Sequence, residues 1–305
     1  MIEQLEYYSK HSPMTYLPNT PELKTLKEKL PDTVPDIVET VQNTLIHVYW
    51  IERYGIKYIE GHSSVLSTRS VADILRQVYQ HHPVNLQEKR NLIEKTIGNC
   101  RDFTVLGVAF MREKGIPARA RCGFATYFSS PEMKLKYIDH WVIEYWNRDN
   151  ERWVMVDSQI DTFQRETLKL DFNTFDVPHD KFITGGAAWN MCREGKADPD
   201  SFGIHEMHGM GFIRGDMIRD LAALAKVPLL PWDCWGTILD KEITGLDLLD
   251  KVAEVTQPAT MTYKEIMELY QHPRLKVPEI ITSWEGMNKP IQVKLSDLTE
   301  KMSDG

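Results

Sequence analysis

Fifteen residues constrain the fold more than any others. From Cys100 to Lys114 the chain reads CRDFTVLGVAFMREK, and Phe103, Val105, Leu106, Val108, Phe110 and Met111 spread around most of a helix. Such a helix must be buried on most sides, so other elements have to cover it. Gly107 in its middle gives up helix propensity, which points to close packing at that spot. Gly115 supplies a C-terminal stop and Pro117 bars continuation. Strand-like segments follow. ARARCGFATYF (118–128) alternates with period two, and HWVIEYW (140–146) and RWVMVDSQ (152–159) flank the turn residues NRDNE.

The rest of the chain reads as helices around this unit. PDIVETVQNTLIHVYWIERYG (35–55) places Ile37, Val41, Leu45, Val48 and Ile51 at helical spacing, with Gly55 as its stop. SVADILRQVYQ (70–80) and LQEKRNLIEKTIG (86–98) read as two more helices. From about residue 177 glycine and small polar residues dominate. Helices are expected at 215–226, 244–256 and 262–272, then a strand, IQVKL, and a polar tail. At 305 residues the chain exceeds what one core usually supports. The expected division is a helical segment over 1–69, a core over 70–176 and a helix- and loop-rich extension over 177–305.

Composition excludes some partners. The formal net charge of −8 argues against nucleic acid or an anionic membrane, since both need a basic surface. No apolar run reaches the roughly 20 residues of a membrane helix. The N-terminus lacks the basic start and apolar core of a secretory signal. Four scattered cysteines with no CxxC pair fit free thiols in the cytoplasm.

The chemistry centres on Cys100. A thiol is a useful nucleophile only as thiolate, and a helix N-terminus or a neighbouring imidazolium favours that form. His140 opens one strand and Asp157 closes another. If Asn147 and Asn150 flank a two-residue turn, paired positions sum to 297 and His140 stands opposite Asp157 on one face. Nucleophile, general acid/base and orienting carboxylate would then be Cys100, His140 and Asp157. A lone helix cysteine or strand histidine is more often a core residue. The coincidence of all three favours chemistry.

These residues resemble a known family. GNCRDFTVLGVAFMREKGIPARARCGF followed by DHWVIEYWNRDNERWVMVDSQI is similar to the core of transglutaminase-like proteins. There a cysteine opens a helix, "GIPAR" leads into a strand, a histidine and an aromatic residue sit on a second strand, and W-x-x-x-D lies on a third. The resemblance implies an α+β, papain-like fold, with the helix bearing the cysteine packed on an antiparallel sheet bearing histidine and aspartate. It also implies acyl chemistry on an amide through a thioester, without cofactor. The substrate would be a peptide, a protein or a small amide. Animal crosslinking members have glutamine before the cysteine and tryptophan after it, where this chain has Asn99 and Arg101. Hydrolysis is therefore expected over crosslinking, and calcium dependence is not carried over. FIRGDMIRDLAALAKVPLLPWDCWG resembles an extension of some bacterial members.

An oxyanion also needs donors. The Cys100 amide is the first. Asn99, Asn43, Trp50 and Trp141 are the side chains singled out for a second donor or for substrate contact. Other signals are weaker. His205 and His208 have no evident third ligand, so no metal is expected. Arg119 and Arg121 share a strand face and suit acidic partners, and Cys122 is a core residue or a fallback nucleophile. The runner-up reading is an inactive member kept as a binding scaffold. A third, an arylamine-acetylating type of acyltransferase, lacks its arginine-glycine run before the cysteine.

Overall fold

A computed structural model describes residues 2–57, 62–258, 262–285 and 289–295. Helices α1 (Ile2–Ser9), α2 (Pro21–Lys29) and α3 (Val34–Thr44) lead into a short strand β1 (Leu45–His47). After α4 (Val71–His81), strand β2 (Thr96–Gly98) pairs parallel with β1 and delivers the chain to α5 (Cys100–Glu113). Strands β3 (Ala118–Ala125), β4 (Tyr137–Asn147) and β5 (Arg152–Val156) follow as an antiparallel meander. Beyond α6 (Thr162–Leu168) come β6 (Phe182–Thr184), α7 (Gly185–Arg193), β7 (Phe202–Ile204), β8 (Met207–His208) and α8 (Met210–Leu224). The last part holds β9 (Asp233–Cys234), α9 (Leu246–Val255), α10 (Tyr263–Tyr270), β10 (Ile280–Ser283) and β11 (Ile291–Lys294), the three strands forming a small separate sheet. The architecture is α+β, as expected. No helix among the described residues is long and apolar enough to cross a membrane.

In the central sheet β3 is flanked by β6 and β4. The far edge of β4 is shared: β5 pairs with residues 143–147 and β7 with 137–138. Residues 139–142 lie between, with no strand on that edge. Helix α5 packs on β4 and β3, buried nearly all round. Gly107 is where it comes closest: a Cβ there would sit 2.4 Å from Ile143 Cδ1. On the other edge, α8 runs along β3. Asp220 of α8 accepts the Cys122 backbone N–H at 2.9 Å and the Nε and Nη2 donors of Arg121 at 2.9 and 2.8 Å. Arg119 and Arg121 also share Glu144.

Three expectations are corrected. The helix over 35–55 ends at Thr44, because Leu45–His47 pair with Thr96–Gly98, and 3-10 turns then run to Gly55, whose φ of 78° ends the segment. No helix spans 86–98: Asn91 and Glu94 close a 3-10 turn, and the β-branched Thr96 and Ile97 enter β2. The hairpin register also differs. Trp146 pairs with Trp153 and Asn147 with Arg152, so four residues form the turn and the pairs sum to 299. His140 and Asp157 therefore face each other diagonally, which keeps them on one face because the shift is even. Of the expected C-terminal elements, the polar tail beyond 295 lies outside the described residues.

Candidate active site

The first turn of α5 is built by a reciprocal cap. Asn99 Oδ1 accepts the Asp102 N–H at 3.2 Å and Asp102 Oδ2 accepts the Asn99 N–H at 2.9 Å. This fixes where the helix starts and leaves Cys100 at its first position, 9% exposed. The Cys100 amide belongs to the first turn, whose N–H groups have no intrahelical acceptor. Arg101 turns away: its guanidinium is spent on the carbonyls of Thr68, Arg69 and Pro228.

The open stretch of the β4 edge meets this helix end. There the Trp141 backbone N–H faces the Cys100 thiol. One residue earlier, His140 Nε2 lies 2.8 Å from Asp157 Oδ2, both side chains being buried. The same carboxylate oxygen accepts the Tyr127 hydroxyl at 2.6 Å, and Asp157 Oδ1 accepts the Gln159 N–H at 3.0 Å. Burial pushes this carboxyl up. The facing imidazole and these hydrogen bonds outweigh burial, and the group ends below its ordinary value. Asp157 is thus an acceptor, so Nε2 carries the imidazole proton and Nδ1 offers a lone pair. Phe128 and Tyr127 pack edge-on against the ring, 4.9 Å and 5.9 Å away.

The thiol itself departs from expectation. A helix N-terminus was expected to favour thiolate. Instead burial pushes Cys100 well above its ordinary value, with the carboxylates of Asp139, Asp102 and Asp157 adding to it and the Trp141 N–H opposing. Desolvation of the buried Cys100 thiol outweighs the helix end. Among the described residues no hydrogen bond joins the thiol to the His140 ring.

The sequence reading missed His47. It stands at the end of β1, paired with Gly98 and so level with the approach to Cys100. Its ring lies 6.4 Å from that of Phe103, one helical turn after Cys100. Burial, then the neighbouring His140 imidazole, lowers it to about 3. Its Nδ1 accepts the Tyr49 N–H at 3.3 Å. The Tyr49 hydroxyl in turn meets His205 Nε2 at 2.9 Å. The signal that could have found His47 is the β-branched and aromatic run LIHVYW, which suits a strand better than mid-helix.

The other candidates are placed as follows. Asn43 is spent on the loop before β2: its amide donates to the carbonyls of Leu86 and Glu88 and accepts the Arg90 N–H. Trp50 is buried, its ring engaged by Arg53, Tyr54 and Phe163. Trp141 is buried under α5, and its indole N–H has no partner among the described residues. Asn99 lies beside Cys100, and its Nδ2 is buried without a partner among the described residues. His208 pairs with Asp200 at 2.9 Å, apart from the His205 contact. Cys122, Asp139 and Asp216 bring ligand-type atoms within 4.8 Å of one another. Arg219 already balances that group through Asp216 at 3.1 Å.

With this geometry in view, the comparisons are informative for the core. The transglutaminase-like superfamily core model matches residues 66–158. No curated protein matches the chain significantly. One similar solved structure is a provisionally named cysteine protease from Cytophaga hutchinsonii. It is 18% identical, and the alignment covers 59% of this chain and 45% of that one, with a TM-score of 0.30. The chain thus spans less than half of that protein's length, and a likeness of that size carries no argument here. Residues 66–158, which hold Cys100, His140 and Asp157, are a transglutaminase-like core.

Proposed function

We propose that this protein is a cysteine-dependent acyl-transfer enzyme, a hydrolase of a peptide, protein or small amide rather than a crosslinker. The observation that carries this is the His140–Asp157 pair at 2.8 Å on the strand whose next amide faces the Cys100 thiol. In the proposed cycle His140 Nδ1 takes the thiol proton as sulfur adds to the carbonyl carbon. The imidazolium is stabilised by Asp157 and returns that proton to the departing amine, leaving a thioester on Cys100. Water, deprotonated by the same nitrogen, then releases the acid. Because burial holds the resting thiol neutral, His140 acts as a general base rather than as half of a standing ion pair. The preference for hydrolysis rests on the departures at Asn99 and Arg101, the latter fully buried and unable to serve an incoming amine.

One observation favours the second reading, a non-catalytic scaffold: the raised thiol without an imidazole contact. Screening wild type and Cys100→Ala against peptide, glutamine and acyl-amide libraries by mass spectrometry separates the two. Products formed only by wild type support the enzyme. Substrate-like ligands bound but unchanged by both proteins support the scaffold.

A further inference from the structure

Two buried histidines, His140 and His47, interact electrostatically beside the start of α5, and each has one ring nitrogen committed. In His140 the committed nitrogen, Nε2, donates to Asp157. In His47 the committed nitrogen, Nδ1, accepts the Tyr49 backbone N–H. A neutral imidazole that accepts at Nδ1 must carry its proton on Nε2. That Nε2 has no hydrogen-bond partner among the described residues. The ring lines a narrow cleft with Phe103 and Gln159, and Gln159 is the residue whose N–H holds Asp157.

We propose that His47 is a catalytic residue whose Nε2–H donates to the oxyanion formed when Cys100 attacks a carbonyl. The inference rests on the acyl-transfer reading above. When the sulfur–carbon bond forms, the carbonyl π pair moves onto oxygen, and that charge needs donors beyond the Cys100 amide. The fold brings His47 there through pairing: parallel β1–β2 sets it level with Gly98, two residues before the nucleophile. A donor must also stay uncharged through the cycle, or its proton would be lost to the wrong group. Burial and the adjacent His140 keep His47 neutral across the working pH range. The fixed tautomer means no reorganisation at the moment of reaction, which is the condition for strong oxyanion stabilisation. The rival donor is the orphaned Asn99 Nδ2.

The test compares two reactions of Cys100, read by intact mass and peptide mapping. Acylation by p-nitrophenyl acetate passes through an oxyanion. Alkylation by iodoacetamide does not. His47→Ala should slow acylation by about 10²-fold or more while leaving alkylation within about twofold. His47→Gln, which keeps an N–H donor, should recover part of the loss. Circular dichroism melts confirm that each variant is folded. Equal slowing of both reactions would overturn the proposal, because it marks a structural role. So would unchanged acylation, or a loss seen instead in Asn99→Asp, which keeps the helix cap but removes the N–H. If wild type is not acylated at Cys100, the acyl-transfer reading itself fails and this inference falls with it. If wild type is acylated and His47→Ala matches it, only this inference fails.

Discussion

The strand that carries His140 and the strand that carries His47 bring two neighbouring imidazoles to the start of the Cys100 helix, with opposite hydrogen-bonding sense. On β4 the partner is a carboxylate, which accepts a proton from the ring and leaves a base facing outward. On β1 the partner is a backbone amide, which gives a proton to the ring and leaves a donor. The residue type is the same and both rings are buried. What differs is the hydrogen-bonding sense of a single neighbour, and in the proposed cycle that separates a general base from an electrostatic donor.

This contrast can be broken most severely at the base. His140→Ala should cut turnover by at least about 10³-fold, since His140 is the group that takes the thiol proton in the proposed cycle. The substrate dissociation constant should change little, measured by titrating ligand into Cys100→Ala and into the double variant. A finer break converts one histidine into the other. In Asp157→Asn the amide can donate to Nε2, which moves the ring proton to Nδ1 and leaves His140 a donor like His47. Turnover should fall by about 10²–10⁴-fold with the ring still in place. If Asp157→Asn keeps near-full activity, the tautomer argument is wrong.

The pH dependence of stability sharpens the comparison from the His47 side. His47 is neutral in the folded protein down to about 3, whereas the unfolded chain takes the proton near its ordinary value of 6.5. Between those values the unfolded state binds more protons, so stability is fully present above 6.5 and falls as pH drops, by about 1.4 kcal/mol per pH unit from this group. Urea titrations from pH 7 to pH 4 should show that slope in wild type. The His47→Gln protein should show a shallower one, by up to one proton's worth. An unchanged slope would mean that His47 is not held neutral by the fold.

Smaller effects separate scaffold from chemistry. Asn43→Ala removes three hydrogen bonds to the loop over 86–90 and should cost about 1–3 kcal/mol in urea melts, with turnover per folded molecule unchanged. Tyr127→Phe removes one of the bonds that hold Asp157 and should cost about 1 kcal/mol, lowering turnover less than tenfold.

The two regions also differ in how much of them the sequence reveals. The β4–β5 hairpin is legible because period two, a turn and a spacing put His140 and Asp157 on one face. Even a wrong register left that conclusion standing, since the error was two residues and faces repeat every two. The Cys100 helix is legible because an apolar run with a glycine stop and a proline beyond it permits little else. The His47 strand is not. Three residues of pairing with a distant segment override a helical pattern, and the one local sign of it is the β-branched and aromatic run LIHVYW. The thiol's protonation was misread for a related reason. A helix start can be seen in sequence, but the burial that opposes it depends on tertiary packing. Asn43 and Trp50 shared the right neighbourhood in sequence, yet hydrogen bonds and aromatic neighbours engaged each of them elsewhere.

The central claim is that Cys100 is the nucleophile and His140 its base. Peptide mapping after reaction with p-nitrophenyl acetate tests it directly, in wild type and in His140→Ala. The account predicts an acetyl thioester on the peptide holding Cys100, absent from those holding Cys122, Cys192 and Cys234, and formed at least about 10³-fold more slowly without His140. Acetylation spread over several cysteines, or formed on Cys100 at the same rate in both proteins, would contradict it.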